Sequence, residues 1–301
     1  MNRFAMASTL VAIGLTWGLS ITLTKIVVST GHQPLGLIFW QLMVATIVLT
    51  GVSLRRRTRP ALDRRALVYF LAIGIIGTIL PNSFSYLAAA QLPAGVMAII
   101  IASVPMFTLV IANTLRVEGF SVVRTSGVLL GAAAVMILIL PETSLPEPGK
   151  AVFILVALVA PFCYGVEGNY IASRAPRGID PVTTLLGASI FGMVIAGPMA
   201  LATGTWVDLL EPWGAPEWAL LFSSLCHVAA YTGYIWLVGV AGPVFSSLVA
   251  YVTTLSGVSL SALILSESYS GWVWAALILM IGGLALVQPR EVRRVAPVGE
   301  G

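Results

Sequence analysis

The stretch PFCYGVEGNY, Pro161 to Tyr170, sets one acidic side chain, Glu167, inside a run that is otherwise apolar or small. The run covers residues 151–172, close to the ~20 residues that a helix needs to cross the hydrocarbon of a bilayer. A carboxylate at that depth is costly unless it meets a partner, a water-filled cavity or a task. Outward from it, apolar runs of similar length recur along all 301 residues, of which 58% are hydrophobic and 9% charged. Short polar punctuation separates them. That is the pattern of an all-α polytopic membrane protein with no stretch long enough for a soluble domain.

Ten spans are expected, at 5–28, 35–54, 66–87, 94–115, 124–140, 151–172, 182–203, 217–238, 243–265 and 271–288. The first begins like a signal peptide, MNRFAMASTL. It runs on to Val28 through Trp17 and Lys25 without a clear small-residue cleavage site, and is therefore read as a transmembrane helix. Spans that alternate in direction sort the loops by side. Arg3, Arg55, Arg56, Arg57, Arg59, Arg64, Arg65, Arg116, Arg124, Arg174, Arg177, Arg290, Arg293 and Arg294 fall on the side of the N-terminus, 14 of the 16 basic residues. The excess of positive charge puts both termini in the cytoplasm of a bacterial-type inner membrane. The opposite loops carry Lys150, six of the 12 acidic residues (Glu142, Glu147, Asp208, Glu211, Glu217, Glu267), and Trp206, Trp213, Trp218, Trp272 and Trp274 as interfacial anchors.

An internal repeat decides the architecture. Trp17-Gly18 and Tyr164-Gly165 are 147 residues apart, as are Pro34 and Pro181, which open the second and seventh spans; Glu118 and Glu267 are 149 apart. The offset implies a duplicated five-helix unit, residues 1–145 and 146–290, followed by a cytoplasmic tail at 291–301. Because five is odd, the second unit enters the membrane inverted, an arrangement that transporters use to rock two halves about a site at the midplane.

With WGLSITLTK (Trp17 to Lys25), the proline-led second span and ASVPMFTLVIANTLRVEG (Ala102 to Gly119), echoed by YVTTLSGVSLSALILSES (Tyr251 to Ser268), the chain resembles an EamA-type member of the drug/metabolite transporter superfamily. The resemblance covers residues 5–288 and implies ten transmembrane helices in two inverted five-helix repeats. One departure is Gln41 in Phe39-Trp40-Gln41, where relatives often carry an arginine; it argues against an anionic-substrate role borrowed from them.

Candidate cavity residues are Trp17, Ser20, Asn82, Tyr86, Glu167, His227, Tyr231, Tyr234 and Tyr251. His227, Tyr231 and Tyr234 share one helical face near the midplane and are either a core stripe or the wall of a cavity for an organic solute. Pro81 and Pro105 imply kinks in the third and fourth spans, with Asn82 and Tyr86 beside the first. Glu167 stands where the first half has Ser20. It either pairs with Arg174 or another arginine, or serves proton coupling or cation recognition. Lys25, about 30 Å along its helix, either snorkels to the interface or acts as a gate or a contact for a substrate carboxylate. The glycine pairs Gly14/Gly18 and Gly127/Gly131 read as close-packed helix seams, the second of which also suits a homodimer.

Other chemistries find little support in the sequence. Clusters of arginine between spans make the net charge of +4 an anchoring feature and not a nucleic-acid footprint. Cys163 and Cys226 sit in apolar spans, and His32 and His227 are the only histidines, so no cofactor or metal is expected. The expected function is a secondary transporter in the lipid bilayer, an exporter of small amino-acid-like or amphipathic organic metabolites by alternating access. The alternatives are a membrane-embedded enzyme and a non-transporting structural or assembly protein.

Overall fold

The computed structural model describes residues 3–56, 63–116, 119–140, 145, 147, 149–176, 179–209, 212–241, 246 and 248–287. Glu118, the arginines at 57, 59, 177, 290, 293 and 294, and the expected tail at 291–301 lie outside them. In chain order the helices are α1 (Arg3–Val28), α2 (Pro34–Arg56), α3 (Arg64–Gln91), α4 (Ala94–Thr114), α5 (Val122–Ile139), α6 (Val152–Arg174), α7 (Pro181–Ala202), α8 (Ala215–Ala241), α9 (Val249–Ile264) and α10 (Gly271–Val287). Among the described residues there is no strand.

Each helix falls on one of the expected apolar runs. Seven of them, α1 to α7, are long and apolar enough to cross a membrane. α9 and α10 are shorter apolar helices of 16 and 17 residues. Large apolar side chains point outward along the bundle, among them Ile47 at 62%, Leu129 at 65% and Ile278 at 70% exposure. In water such a surface would drive aggregation; against acyl chains it costs nothing.

Local chemistry sets the helix ends. Pro34 and Pro181 open α2 and α7 at a position where a missing N–H is harmless. Asp180 caps α7, its Oδ1 accepting from Val182 N at 2.9 Å and Thr183 N at 3.3 Å. The kinks expected at the prolines are present. A π-helical segment, Ile75–Ile79, precedes Pro81 in α3, and α4 breaks at Ala102 and Ser103 before Pro105. Pro161 and Pro198, by contrast, lie inside unbroken α6 and α7.

The centre of the bundle is α4, whose Val96, Ile99 and Ile100 are fully buried. Helix pairs recur between the two halves. α1 packs on α8 and α9, as α6 packs on α3 and α4; α2 on α8 matches α7 on α3; α2–α7, α4–α9 and α5–α10 pair across the halves. The correspondence reaches single residues. A Cβ at Gly18 would lie 2.8 Å from Gly257 N, and one at Gly165, 147 positions on, would lie 2.9 Å from Thr108 N, 149 positions before Gly257. It is incomplete: α1 packs on α3 and α4, whereas α6 does not pack on α8 or α9 to the same extent.

The glycine seams expected from the sequence are seams within this chain. Gly14 and Gly18 face Val252, Ser256 and Gly257 of α9, with Ser256 Oγ donating to Gly14 O at 3.1 Å. Gly127 lies against Gly283 of α10, and Gly131 against Met106. The stripe on α5 is therefore spent inside the bundle and is not a free face for a second copy.

Candidate functional site

Three helices meet in a polar chain at the middle of the bundle. Tyr164 of α6 donates its hydroxyl to Asn82 Oδ1 at 3.0 Å, Asn82 Nδ2 donates to Gln41 Oε1 at 3.1 Å, and Tyr86 donates to the same Gln41 oxygen at 2.5 Å. The Tyr164 and Tyr86 hydroxyls and the Asn82 amide each find an acceptor, so the network ties α2, α3 and α6 together at a depth where a bare polar group would be costly. The sequence marked Asn82 and Tyr86 as cavity residues; here both bond to the side chain of Gln41. Gln41, noted only as a departure from relatives, is the acceptor that joins them, and Tyr164, noted only as a repeat marker, is the fourth member.

Opposite stands an aromatic wall. Trp17 of α1 meets Tyr231 edge-on with ring centres 6.2 Å apart and Tyr234 at 5.6 Å, and His227 lies 6.2 Å from Tyr231. Spacing on α8 put the last three on one face; tertiary packing adds Trp17. All four are half-buried. Among the described residues the hydroxyls of Tyr231 and Tyr234 and the imidazole of His227 have no hydrogen-bond partner, yet none is sealed off as a buried orphan. In a membrane protein, polar groups in that condition face a cavity.

Glu167 projects into the same space. α6 and α8 start at the same end of the bundle, and Glu167 and Tyr231 each lie about 23 Å along their helices. The carboxylate is within electrostatic reach of Tyr231, Tyr164 and Tyr69. It sits against Gly77 in the π-helical segment of α3, where any larger side chain would meet its oxygens. Glu167 is half-buried and has no hydrogen bond or ion pair among the described residues. The expected pairing with Arg174 does not form: that arginine is exposed, two helical turns away.

The other expected residues lie elsewhere or are already occupied. Ser20 is buried and donates to Trp17 O of its own helix at 2.8 Å, a local bond that satisfies the hydroxyl in lipid. Tyr251 on α9 is half-buried, and no ring contact joins it to the aromatic wall among the described residues. Lys25 finds backbone partners at the end of α3. Its Nζ donates to Ala89 O at 2.7 Å and Ala90 O at 3.4 Å, the carbonyls left free at the end of α3.

That end of the bundle holds a cleft of about 170 Å³ lined by Lys25, Gln91, Glu147, Lys150 and Glu267. Lys150 bonds Gln91 and lies 3.4 Å from Glu147. Glu267, from the loop after α9, caps α4: Oε1 accepts from Ala94 N at 2.8 Å and Oε2 from Gly95 N at 3.2 Å. Tyr269 donates to the same carboxylate at 2.6 Å, and burial first, then this hydrogen bond, pushes its phenol up and keeps it a donor. Glu267→Ala should cost about 1 kcal/mol, read as a fall of a few degrees in the unfolding temperature of the purified protein. An unchanged temperature would mean that the cap carries no stability.

Among the described residues no three His, Cys, Asp or Glu side chains converge to hold a metal ion.

The model of the EamA-like transporter family matches twice in tandem, at residues 5–140 and 151–288. The chain is 25% identical over 280 residues to the uncharacterized inner membrane transporter YedA of Escherichia coli (strain K12), covering 92% of this chain and 89% of that protein. An uncharacterized protein of Pseudomonas aeruginosa is 26% identical over 265 residues, 84% of this chain and 83% of that one. A chain in a solved crystal structure superposes with a TM-score of 0.61 at 17% identity, covering 95% of this chain and 98% of its own; at that identity the likeness speaks for the fold alone.

Proposed function

This chain belongs to the EamA-like transporter family, and on that premise we propose that it is a secondary transporter that exports small amphipathic organic metabolites, amino-acid-like ones included. The observation that carries the reading is the set of unpartnered polar groups, Glu167, His227, Tyr231 and Tyr234, which α6 and α8 of the second half bring together, with Trp17 of the first half packed on the two tyrosines. A folded protein leaves such groups bare where something else is to bind them.

Alternating access follows from ten crossing helices in two inverted five-helix repeats, residues 1–145 and 146–290. The tandem family matches and the reciprocal helix pairs support that arrangement. The end that carries Lys25 and Glu267 is latched by hydrogen bonds from α1 to α3 and from the loop after α9 to α4. α6 and α8 stand less closely packed than their first-half counterparts α1 and α3. The positive-inside rule makes the arginine-rich end cytoplasmic and the hydrogen-bonded end the outer one, in an inner membrane like that named for the Escherichia coli relative.

The test is solute flux in proteoliposomes. Wild type should show saturable flux of an amphipathic metabolite, and Tyr231→Ala or His227→Ala should reduce it about tenfold, the effect of losing about 1.4 kcal/mol of contact. Inertness of the wild type toward a broad metabolite panel would overturn the reading.

A further inference from the structure

Charge balance in the cavity restricts what this transporter can carry. Glu167 is the one carboxylate described in the middle of the bundle, and no basic side chain reaches it. Lys25 is committed to the carbonyls of α3 at the far end of the bundle. Arg124 donates to Val287 O at 3.1 Å in the first turn of α5. Arg64, Arg65 and Arg174 are exposed at the helix ends.

The groups that do face Glu167 are neutral. α3 contributes Tyr69, α6 itself contributes Cys163 and Tyr164, and α8 contributes Tyr231 with His227 beyond it; Tyr86 and Tyr170 are the nearest tyrosines behind them. α4, which packs on α6, has no titratable side chain. Tyr69 stacks on Tyr170 with ring centres 5.8 Å apart, and Tyr86 and Tyr164 spend their hydroxyls on Gln41 and Asn82. None of these groups supplies a positive charge. A bare carboxylate at this depth must nonetheless be neutralised.

We propose that Glu167 binds one monovalent cation at a time, an organic ammonium in one half of the cycle and a proton in the other, so that the substrates are amphipathic amines exchanged for protons. This deepens the transporter reading and rests on it. The aromatic wall supplies what such a ligand needs beside the carboxylate: faces for its apolar body and π-density for its charge. When the ammonium leaves, a proton takes its place on the carboxylate oxygen; no bond in the substrate forms or breaks, and the cavity is neutral in both states. Gly77 completes the site, because only a residue without a side chain leaves room for the carboxylate there.

Binding and proton release test this without requiring flux. Tetraphenylphosphonium and phenethylammonium are titrated into detergent-purified protein in weak buffer. Wild type should bind at least one of them and release about one proton per cation bound, the exchange expected of a single carboxylate. Glu167→Gln, of nearly the same shape, should bind at least about tenfold more weakly and release none, a loss of one charge-assisted contact. Glu167→Asp, monitored for folding by size-exclusion chromatography alongside, should still release the proton. Equal binding by wild type and Glu167→Gln, or binding of neither cation by the wild type, would overturn the proposal. Failure of the two readings is separable. Saturable flux of a zwitterion that Glu167→Gln leaves intact sinks the cation site and keeps the transporter, whereas cation binding with proton release but no flux of any solute does the reverse.

Discussion

Gly18→Val should leave little folded protein in the membrane. A Cβ at this position would lie 2.8 Å from Gly257 N and 2.9 Å from Ser256 Cβ, and neither atom can swing aside. The backbones of α1 and α9 would have to separate, breaking the Ser256 Oγ bond to Gly14 O and opening a seam that continues to Val252. Overpacking of this kind costs about 1–3 kcal/mol or more. In lipid no hydrophobic effect offsets it, since helices there are held by close packing and interhelical hydrogen bonds. The measurement is the yield of monodisperse protein and its unfolding temperature in detergent. The same substitution at Gly51, where a Cβ would meet nothing within 4 Å, should leave both unchanged. Equal yields for the two variants would show that the seam is not what holds α1.

Gly77→Ala should fold and fail to transport. Here the atoms that a new methyl would meet are the carboxylate oxygens of Glu167, the far end of a flexible side chain, so the clash is relieved by rotating the carboxylate and not by parting helices. Stability should fall by less than about 1 kcal/mol. Displacing the one acid of the cavity by even about 1 Å should nevertheless cost tenfold or more in flux. Pairing it with Glu167→Asp, which withdraws the carboxylate by one methylene, should recover part of the loss. Two losses that simply multiply would show that Gly77 acts through the helix backbone and not through Glu167.

The two glycines differ in how far the sequence exposes them. Gly18 belongs to a small-xxx-small pattern and to the Trp17-Gly18 repeat, so its seam is legible in the sequence. Gly77 belongs to no such pattern; its meaning comes from a π-helical segment that points it at a side chain 90 positions away. Gln41 is a similar case. Nothing in Phe39-Trp40-Gln41 indicates that its oxygen accepts from both Asn82 and Tyr86. Lys25 was legible as an unusual charge, but its partners, two carbonyls of α3, could not be read from a side-chain pattern because any helix end offers them.

The sequence by itself determined the all-helical membrane class, the positions of the helices, the duplicated spacing and the face of α8 that carries His227, Tyr231 and Tyr234. Those follow from hydropathy, proline placement and the 3.6-residue period, all of which are local. Only the tertiary structure decided that Glu167 has no arginine, that Trp17 completes the aromatic wall and that Ser20 and Tyr251 stand apart from it. These depend on which helix faces which across the bundle. In lipid that choice is made by backbone approach at glycine seams and by buried hydrogen bonds between distant residues, and neither leaves a periodic mark on the chain.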